Sequence, residues 1–392
     1  MSEKESLRKT IFQNELRYIF NKNQVNEYDE NKIIQILFEN PFDLSKQWLL
    51  KNDLLQHDQV VTKLKEIDID NDVIVEISSL FVVHDDLRIP DDIKKLFVNN
   101  ERVGVLVGSG VSRLLNMSSW KQLADKAIEH LYKSNRINFF EYQKIQTEMI
   151  DPKQKLTIFH NLISRNEDEV KKFYDKEFGN AEAEENPYDL LVKIDWIKLT
   201  SNIDKAFFKA LERSYKKTTA VEPSGLADAD TIHVGKIAKL ESKNFDFKTI
   251  DYDTVYHIHG SLDAINDTIL TTKDYLDNYH ADSKLKKFLK SIFKEYTIIF
   301  IGYGLEEFSI LEHIVKTPRQ HFVLLPCYLH DINLFRIKNE YFKTLNIKAV
   351  PYYLDFDGYH RLYYVLKAWI DQITASLKSG YFDKIKKIDE VL

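Results

Sequence analysis

The sequence predicts an α/β fold, with a Rossmann-like, mainly parallel sheet covered by helices on both faces, plus an N-terminal helical region and a helical insertion. Three observations predict this fold class. From residue 102 onward, short β-branched and apolar runs alternate with stretches of helical periodicity. The runs are continuously apolar, as expected of parallel strands that are buried on both faces. Residues 1–100 instead place apolar residues at helical spacing.

Six runs are predicted to be strands, namely VGVLVG, WIKLT, TVYHIH, TIIFIG, HFVLLP and IKAVPYY, at residues 103–108, 196–200, 254–259, 297–302, 321–326 and 347–353. The change of pattern near residue 100 divides the chain into an N-terminal helical region, 1–100, and a sheet domain, 101–392. A helical module is expected within the sheet domain at about residues 125–190. The N-terminal region contains no spaced constellation of polar residues, so we expect it to serve oligomer or partner contacts.

The composition limits the partners and the compartment. The chain has 392 residues, 44% of them hydrophobic, and a formal net charge of -6. This slightly acidic balance does not favour binding to nucleic acid or to a membrane surface, so we expect neither partner. The single cysteine, Cys327, excludes an intrachain disulfide and a cysteine-based zinc site. The N-terminus has no signal-peptide core, and no run approaches the ~18 apolar residues of a membrane span. We therefore expect a cytoplasmic protein.

Glycines and hydroxyls follow the first predicted strand. Gly108 and Gly110 permit close approach of the backbone to a ligand, and Ser109 and Ser112 add hydroxyl groups. Glycines in this position are typical of a phosphate-binding turn, but Arg113 stands where the dinucleotide fingerprint has its third glycine. The pattern is therefore compatible with a phosphate cradle or with an ordinary strand-to-helix turn.

Polar residues also follow the second and third predicted strands. Ser201, Asn202 and Asp204 come directly after the second strand; helix capping explains one of them but not all three. His257 and His259 end the third strand, where a period of two places them on the same face. A metal site needs further ligands, and no motif supplies them, so we expect no metal. His259, which precedes Gly260, is the better catalytic candidate, and His257 is expected to be a packed neighbour.

The fourth strand opens through Gly302, Tyr303 and Gly304 into another helix. In an open parallel sheet, ligands bind at the carboxyl ends of the strands. Four core strands place glycines or small polar residues there. The sequence therefore predicts a nucleotide-sized pocket that contains an imidazole, a carboxamide and a carboxylate.

Taken in order, GSGVSR, LTSNID, HIHGSLD and FIGYGLEE resemble the cofactor-binding and catalytic motifs of sirtuin-like domains, and TTKDYLDNY is similar to bacterial members of that superfamily. The resemblance covers roughly residues 103–355. It implies that the loop 108–112 cradles the pyrophosphate of NAD+. Asn202 and Asp204 would hold the nicotinamide ribose, Ser201 would also belong to the cofactor-binding residues, and His259 would be the catalytic histidine. Gly302, Tyr303 and Gly304 would border the adenosine half.

The resemblance also extends to the mobile cofactor loop of the family. Trp120 falls near the aromatic residue of that loop, and Ser119 with Gln122 predicts a capping box at the start of the following helix. Asn116 and Ser118 stand where glycine and proline are common, which leaves the shape of this loop open.

The cysteine count decides between branches of the family. Sirtuin deacylases carry a four-cysteine zinc module that this chain cannot build, so we expect no zinc and no deacylase groove. The zinc-less bacterial branch implies an NAD+ glycohydrolase that acts in antiphage abortive infection, with NAD+ as substrate and Asn202 and His259 as catalytic residues. The alternatives are a sensor that binds NAD+ or ADP-ribose without turnover, and a protein ADP-ribosyltransferase. The implied partners are further copies of the chain, a HerA-type ATPase or another defence subunit, or a phage trigger.

Overall fold

The computed structural model describes residues 16–38, 62, 64–79, 86–148, 150–163, 167–178, 185–219, 238–241, 250–280, 282–305, 308–315, 317–328 and 331–378. Outside these ranges lie PFDLSKQWLLKNDLL, whose apolar spacing predicts a helix after Pro41, and the two glutamates that end FIGYGLEE. None of the helices in the described ranges has the length and apolar character that crossing a membrane requires.

A seven-stranded sheet forms the centre of the fold. The strands are β1 (Val103–Val107), β2 (Ile197–Thr200), β3 (Ala238–Glu241), β4 (Thr254–His257), β5 (Thr297–Ile301), β6 (His321–Cys327) and β7 (Ile347–Tyr353). Their order across the sheet is β3-β4-β2-β1-β5-β6-β7. The pairs β3–β4, β4–β2, β2–β1, β1–β5 and β5–β6 are all parallel. This confirms the predicted Rossmann-like α/β fold.

All six predicted runs form strands, and β3 was not predicted. Its sequence, AKLE, carries Lys239 and Glu241 and so presents no apolar run. It lies at the edge of the sheet, where pairing on one side only places a weaker demand on hydrophobicity.

Helices occupy most of the connections between strands. They are α1 (Glu27–Phe38), α2 (Asn71–Ser79), α3 (Asp91–Val98), α4 (Ser109–Arg113), α5 (Trp120–Lys133), α6 (Phe139–Thr147), α7 (Pro152–Ile163), α8 (Glu167–Phe178), α9 (Pro187–Leu191), α10 (Ala206–Thr219), α11 (Thr272–Tyr275), α12 (Lys284–Glu295), α13 (Phe308–Ile314), α14 (Ile332–Thr344), α15 (Leu354–Asp357) and α16 (Arg361–Lys378). Short 3₁₀ helices cover Leu262–Asp267 and Gly358–His360, and a π-helical turn covers Leu276–His280.

The chain forms two compact units. One consists of residues 1–86, 326–338 and 351–361, and the other of residues 87–325, 339–350 and 362–392. The first has a hydrophobic core of its own, to which the helical residues 16–22 contribute Leu16, Ile19 and Phe20, with Ile33 from α1 and Ile77 from α2. The second holds the central strands, which are buried along their length.

The strand order positions the candidate site. The chain proceeds from β1 to β2 and then β4 on one side of the sheet, and returns to β5 on the other side of β1. The order of the strands therefore reverses at β1. In open α/β sheets, a crevice for ligands forms at the carboxyl ends of the strands at such a switch point.

Candidate active site

The loops that follow β1 and β5 interlock through their glycines. Gly108 N–H donates to Ile301 O at 2.9 Å, and Gly110 N–H donates to Gly302 O at 2.8 Å. A Cβ on Gly110 would lie 2.8 Å from Gly302 Cα, and one on Gly302 would lie 2.6 Å from Val111 N. Gly302 also has φ +62°, in the left-handed region that favours glycine.

The contact gives a second reason for the glycines, besides the close approach of a ligand that the sequence predicts. The space that a Cβ would need at Gly108 and Gly110 is filled by the backbone of Gly302 and by Tyr303. Their absent side chains allow two backbone segments to pack together at the switch point. Ser109 and Ser112 remain as the polar side chains of this loop.

Asn202 is the centre of a buried hydrogen-bond network. Its Nδ2 lies 3.0 Å from Gly108 O, 2.9 Å from Ser112 Oγ and 3.0 Å from Tyr188 OH. Its backbone N–H donates to Thr200 Oγ1 at 3.0 Å. The carboxamide from the end of β2 is thereby held against the loop that follows β1.

Asp204 belongs to the same network. Ser112 Oγ donates to its Oδ2 at 2.7 Å, and Ala206 N–H donates to its Oδ1 at 2.9 Å. Burial raises the pKa of this carboxyl, and the hydrogen bond from Ser112 lowers it in part. A buried carboxyl with a raised pKa beside a cavity is typical of a functional site.

Tyr188 completes the network, and the sequence analysis missed it. Its hydroxyl lies 2.9 Å from Ser112 Oγ and 3.0 Å from Asn202 Nδ2. Burial raises the pKa of this phenol well above its ordinary value, so it remains a neutral donor. The Asn186–Pro187 pair does mark the start of α9, where the Asn186 side chain accepts from Tyr188 N–H. Nothing in that signal shows that α9 approaches the end of β2.

Ser201 has an unsatisfied hydroxyl at the carboxyl end of β2. It is 1% exposed, and no hydrogen-bond partner for its Oγ is present among the described residues. A buried hydroxyl without a partner costs free energy, so such atoms require an explanation. A ligand that supplies the missing partner is one such explanation, and the binding role of Ser201 stays a prediction.

His257 makes a structural contact to the site. Its Nδ1 lies 3.1 Å from Asn202 O, and the residue is fully buried at the end of β4. This contact links β4 to the segment that follows β2. The contact agrees with the expectation that His257 is a packed or hydrogen-bonded neighbour.

His259 does not lie in the strand, contrary to the prediction from alternation. Strand β4 ends at His257, and His259 lies in a turn in which Gly260 N–H donates to His257 O at 3.1 Å. Gly260 has φ +80°, and a Cβ there would lie 2.9 Å from Thr268 Cα. The turn that this glycine permits ends the strand two residues earlier than the apolar run suggested.

Aromatic side chains enclose the His259 ring. Its Nε2 lies 2.8 Å from Tyr279 OH, and its ring lies 6.1 Å from Trp120, 5.5 Å from Tyr275 and 5.9 Å from Tyr279 between centroids. Tyr279 sits in the π-helical turn, a rare element that occurs often at functional sites. Both tyrosines lie in the TTKDYLDNY segment, which resemblance singled out without assigning either residue a role.

The structure gives the conformation of the loop before α5, which the sequence left open. Asn116 has φ +60°, so it adopts the conformation that glycine would adopt, which asparagine tolerates better than most residues. Ser118 Oγ donates to Glu177 Oε2 at 2.8 Å. Ser119 and Gln122 form the predicted capping box, which places Trp120 at the first position of the helix.

A cavity of about 20 Å³ lies among the site residues; it is lined by Ser109, Ser112, Ser118, Trp120, Leu123, Phe178, Asn202, Ile203 and Asp204. Four of the predicted residues therefore meet at one cavity. The others do not line it, including Gly302, Tyr303, Gly304 and His259. The cavity has room for about one water molecule. Trp120 both lines it and contacts His259, so this ring stands between the carboxamide and the imidazole.

The donor set suits a nucleotide sugar better than a metal. Hydroxyl, carboxamide and carboxylate groups meet at the carboxyl ends of β1 and β2, where open α/β sheets bind nucleotides. In the part of the chain that the structure describes, no three histidine, cysteine, aspartate or glutamate side chains are grouped to hold a metal ion. The absence of zinc remains an expectation from the cysteine count.

The fold is a Rossmann-like α/β domain with polar side chains grouped at the carboxyl ends of β1 and β2. Residues 197–349 match the family model of the SIR2-like domain, a segment that runs from β2 into β7 and includes Asn202, Asp204 and His259. The matched segment is less than half of the chain and does not include the loop after β1. It supports a sirtuin-like family and NAD-dependent activity in general. No curated protein matches the chain.

Proposed function

We propose that the protein is an NAD+ glycohydrolase, which cleaves NAD+ to nicotinamide and ADP-ribose. The observation that carries the proposal is the buried network of Asn202, Ser112, Asp204 and Tyr188 at the topological switch point. This network lies next to a loop that carries a histidine, within a chain that has a SIR2-like domain.

The residues suit the chemistry of this cleavage. The C1′–N bond breaks with both electrons passing to the nicotinamide ring, which leaves neutral, while C1′ becomes oxocarbenium-like. Asn202 positions the attacking water, Asp204 stabilises the positive charge on the ribose, and His259 accepts the proton that the water releases. The oxygen of the water bonds to C1′, which yields ADP-ribose.

The small cavity supports a closed state for the described conformation. A cavity of about 20 Å³ cannot hold a nicotinamide ribose, so binding requires its wall to move. Trp120 is the wall residue between Asn202 and His259, and it starts the helix that follows the cofactor loop. Movement of this loop would open the cavity and join the two catalytic groups in one pocket.

A closed resting state suits an enzyme whose unregulated activity would be toxic. In the proposal, NAD+ depletion serves antiphage defence by abortive infection, and a partner or phage component releases the closed state. The resemblance to zinc-less bacterial sirtuin-like domains supports this role. Assembly with further copies of the chain, or with a HerA-type ATPase, belongs to the same proposal, as does the assignment of the N-terminal region to these contacts.

The first experiment measures NAD+ turnover by the purified full chain, alone and after addition of lysate from phage-infected cells. Nicotinamide and ADP-ribose are quantified for wild type, Asn202→Ala, His259→Ala and the control His360→Ala, which changes an exposed histidine. Equimolar nicotinamide and ADP-ribose from wild type and the control, with turnover lost in the two site variants, is the expected result. Undiminished turnover in His259→Ala would contradict the assigned mechanism.

Two other functions give different results in the same experiment. A sensor binds NAD+ or ADP-ribose, measurable by calorimetry, without releasing nicotinamide under either condition. A protein ADP-ribosyltransferase releases nicotinamide but little free ADP-ribose, and labelled NAD+ then marks an acceptor protein.

A further inference from the structure

A groove separate from the site cavity lies between helices α5 and α8. It has a volume of about 470 Å³ and is lined by Lys126, Glu129, His130, Lys133, Glu169, Lys172, Phe173, Lys176 and Glu177. This volume lies within the range of small-molecule sites, ~300–1,000 Å³. The function proposed above makes no use of these residues.

The three glutamates of the groove are each engaged by a neighbouring basic group. Lys133 Nζ lies 2.5 Å from Glu129 Oε1, His130 Nε2 lies 3.0 Å from Glu169 Oε1, and Lys126 Nζ lies 2.5 Å from Glu177 Oε2. Arg136, next to the groove, lies 3.5 Å from the second oxygen of Glu169. Lys126, Lys133 and the adjacent Arg136 therefore offset the negative charges of the three glutamates.

Lys172 and Lys176 also line the groove, but the three glutamates do not pair with them. Both are exposed on α8, and neither takes part in an ion pair or hydrogen bond within the described chain. They are four residues apart on a helix, so their ammonium groups are neighbours, and like charges at this spacing destabilise a helix. An anion between them would relieve the repulsion and gain charge-assisted hydrogen bonds.

The floor of the groove suits the rest of a nucleotide-sized ligand. Phe173 is buried beneath it, and the His130 ring meets Phe173 edge to face at 5.5 Å between centroids. We propose that this groove binds a phosphate-bearing anion of nucleotide size, with its phosphates between Lys172 and Lys176.

The groove is connected to the site cavity through Glu177. The Oε2 atom of Glu177 accepts hydrogen bonds from Lys126 Nζ and from Ser118 Oγ. Ser118 and Phe178, which follows Glu177 in the chain, line the site cavity. A phosphate that attracts Lys126 competes with Glu177 for its charge. Occupation of the groove therefore alters the wall of the cavity, which makes the bound anion a regulator of the site.

The test measures binding of inorganic pyrophosphate to the full chain by calorimetry at fixed ionic strength, without NAD+. The groove variant is Lys172→Gln/Lys176→Gln. The matched control is Lys121→Gln/Lys171→Gln, which removes the same charge from exposed positions of the same two helices outside the groove. The groove variant is expected to raise the Kd of pyrophosphate at least about tenfold, as loss of two charged contacts implies, while the control leaves it within about twofold.

A third variant gives a result of opposite sign. Glu177→Gln frees Lys126 for the anion, so pyrophosphate should bind more tightly than to wild type. No binding by wild type, or an equal rise of Kd in the groove and control variants, would overturn the proposal. Because binding is measured without NAD+, this outcome is independent of whether the chain hydrolyses NAD+.

Discussion

At the scale of single residues, the Asn202 carboxamide depends on neighbours that come from distant parts of the chain. Its two amide hydrogens face three oxygen acceptors, from Gly108, Ser112 and Tyr188. The amide is thus oriented by the residues around it. An oriented carboxamide is what positioning of a water molecule requires.

Tyr188→Phe tests this orientation. Loss of the hydroxyl removes one acceptor from Asn202 and one partner from Ser112, so we expect kcat for NAD+ hydrolysis to fall about tenfold, with a smaller change in KM. Stability should fall by about 1 kcal/mol, the worth of a typical hydrogen bond. Steady-state kinetics and urea unfolding measure the two effects.

Tyr174→Phe is the matched control for Tyr188→Phe. Tyr174 is also fully buried, and its hydroxyl lies 2.9 Å from His160 Nε2, within the helical module. A similar loss of stability without a loss of kcat is expected. Equal losses of kcat in both variants would show that Tyr188 acts through stability alone.

Asp204→Asn should separate stability from activity. Burial raises the pKa of this carboxyl, so the folded state holds its proton to higher pH than the unfolded state does. The free energy of unfolding therefore falls as the pH rises from the pKa of this carboxyl in the unfolded state through its pKa in the folded state. Above both pKa values the full free-energy cost of the buried carboxylate is present. We expect Asp204→Asn to melt at a higher temperature than wild type at pH 7, with the difference shrinking toward pH 4. Turnover of NAD+ should fall in the same variant. A melting temperature below that of wild type at pH 7 would contradict the inference that the buried Asp204 carboxylate destabilises the fold.

At the scale of elements, His321 joins the beginnings of β5 and β6. Ile298 N–H donates to its Nδ1 at 3.1 Å, and its Nε2 lies 3.3 Å from Thr317 Oγ1. The first contact requires an unprotonated Nδ1. Burial, with a smaller contribution from the charge of Arg319, lowers the pKa of this imidazole from 6.5 to about 4.

This depressed pKa predicts a window of acid destabilisation. The contribution of His321 to stability is fully present above pH 6.5 and is lost as the pH falls from 6.5 through about 4, on the order of 3 kcal/mol in total. We expect His321→Asn to weaken the slope of stability against pH in this window. Denaturant unfolding at pH 7, 6, 5 and 4 measures it, and the exposed His360→Asn should behave as wild type. An unchanged slope in His321→Asn would refute the assignment.

Some elements of this fold are predictable from local sequence, and others are not. Six strands could be predicted because buried parallel strands are continuously apolar, and α5 because its capping box is local. The end of β4 could not, because Ile258 and His259 continue its apolar and polar alternation while the turn depends on Gly260 packing against Thr268. Alternation of apolar and polar residues predicts that a strand exists, but it does not predict the tertiary contact at which the strand ends.

At the scale of the whole molecule, one compact unit is assembled from three segments of the chain. Within it, Asp86 receives hydrogen bonds from Arg361 Nε at 3.0 Å and from Tyr353 N–H at 2.9 Å, and Arg361 Nη2 also contacts it. The side chains of Asp86 and Arg361 are 0% and 4% exposed. A buried ion pair thus joins the end of the first segment to the end of the last.

Breaking this pair should be costly. Arg361→Met leaves the buried Asp86 carboxylate without its arginine, and Asp86→Leu leaves the buried Arg361 with only its 3.5 Å pair to Asp357. Each variant is therefore expected to lower the free energy of unfolding by about 3–5 kcal/mol. The double variant should be less destabilised than the sum of the two. Arg88→Met, which removes a 3.9 Å pair between exposed side chains, should cost less than about 1 kcal/mol. Additive losses in the double variant would show that the two side chains do not stabilise each other.

The sequence by itself determined the class of fold, the strands and the residues at their carboxyl ends, because hydrophobic periodicity and glycine position are local properties. Because polar residues at the carboxyl ends of parallel strands meet at one edge of the sheet, the sequence also predicted a shared pocket. In the structure one cavity is lined by Ser109, Ser112, Asn202 and Asp204. Only the tertiary structure decided that Tyr188 orients Asn202, that Tyr279 and Trp120 enclose His259, and that the glycines pack against each other. These contacts join residues far apart in the chain, and their formation depends on how whole helices and loops pack, which no local pattern records.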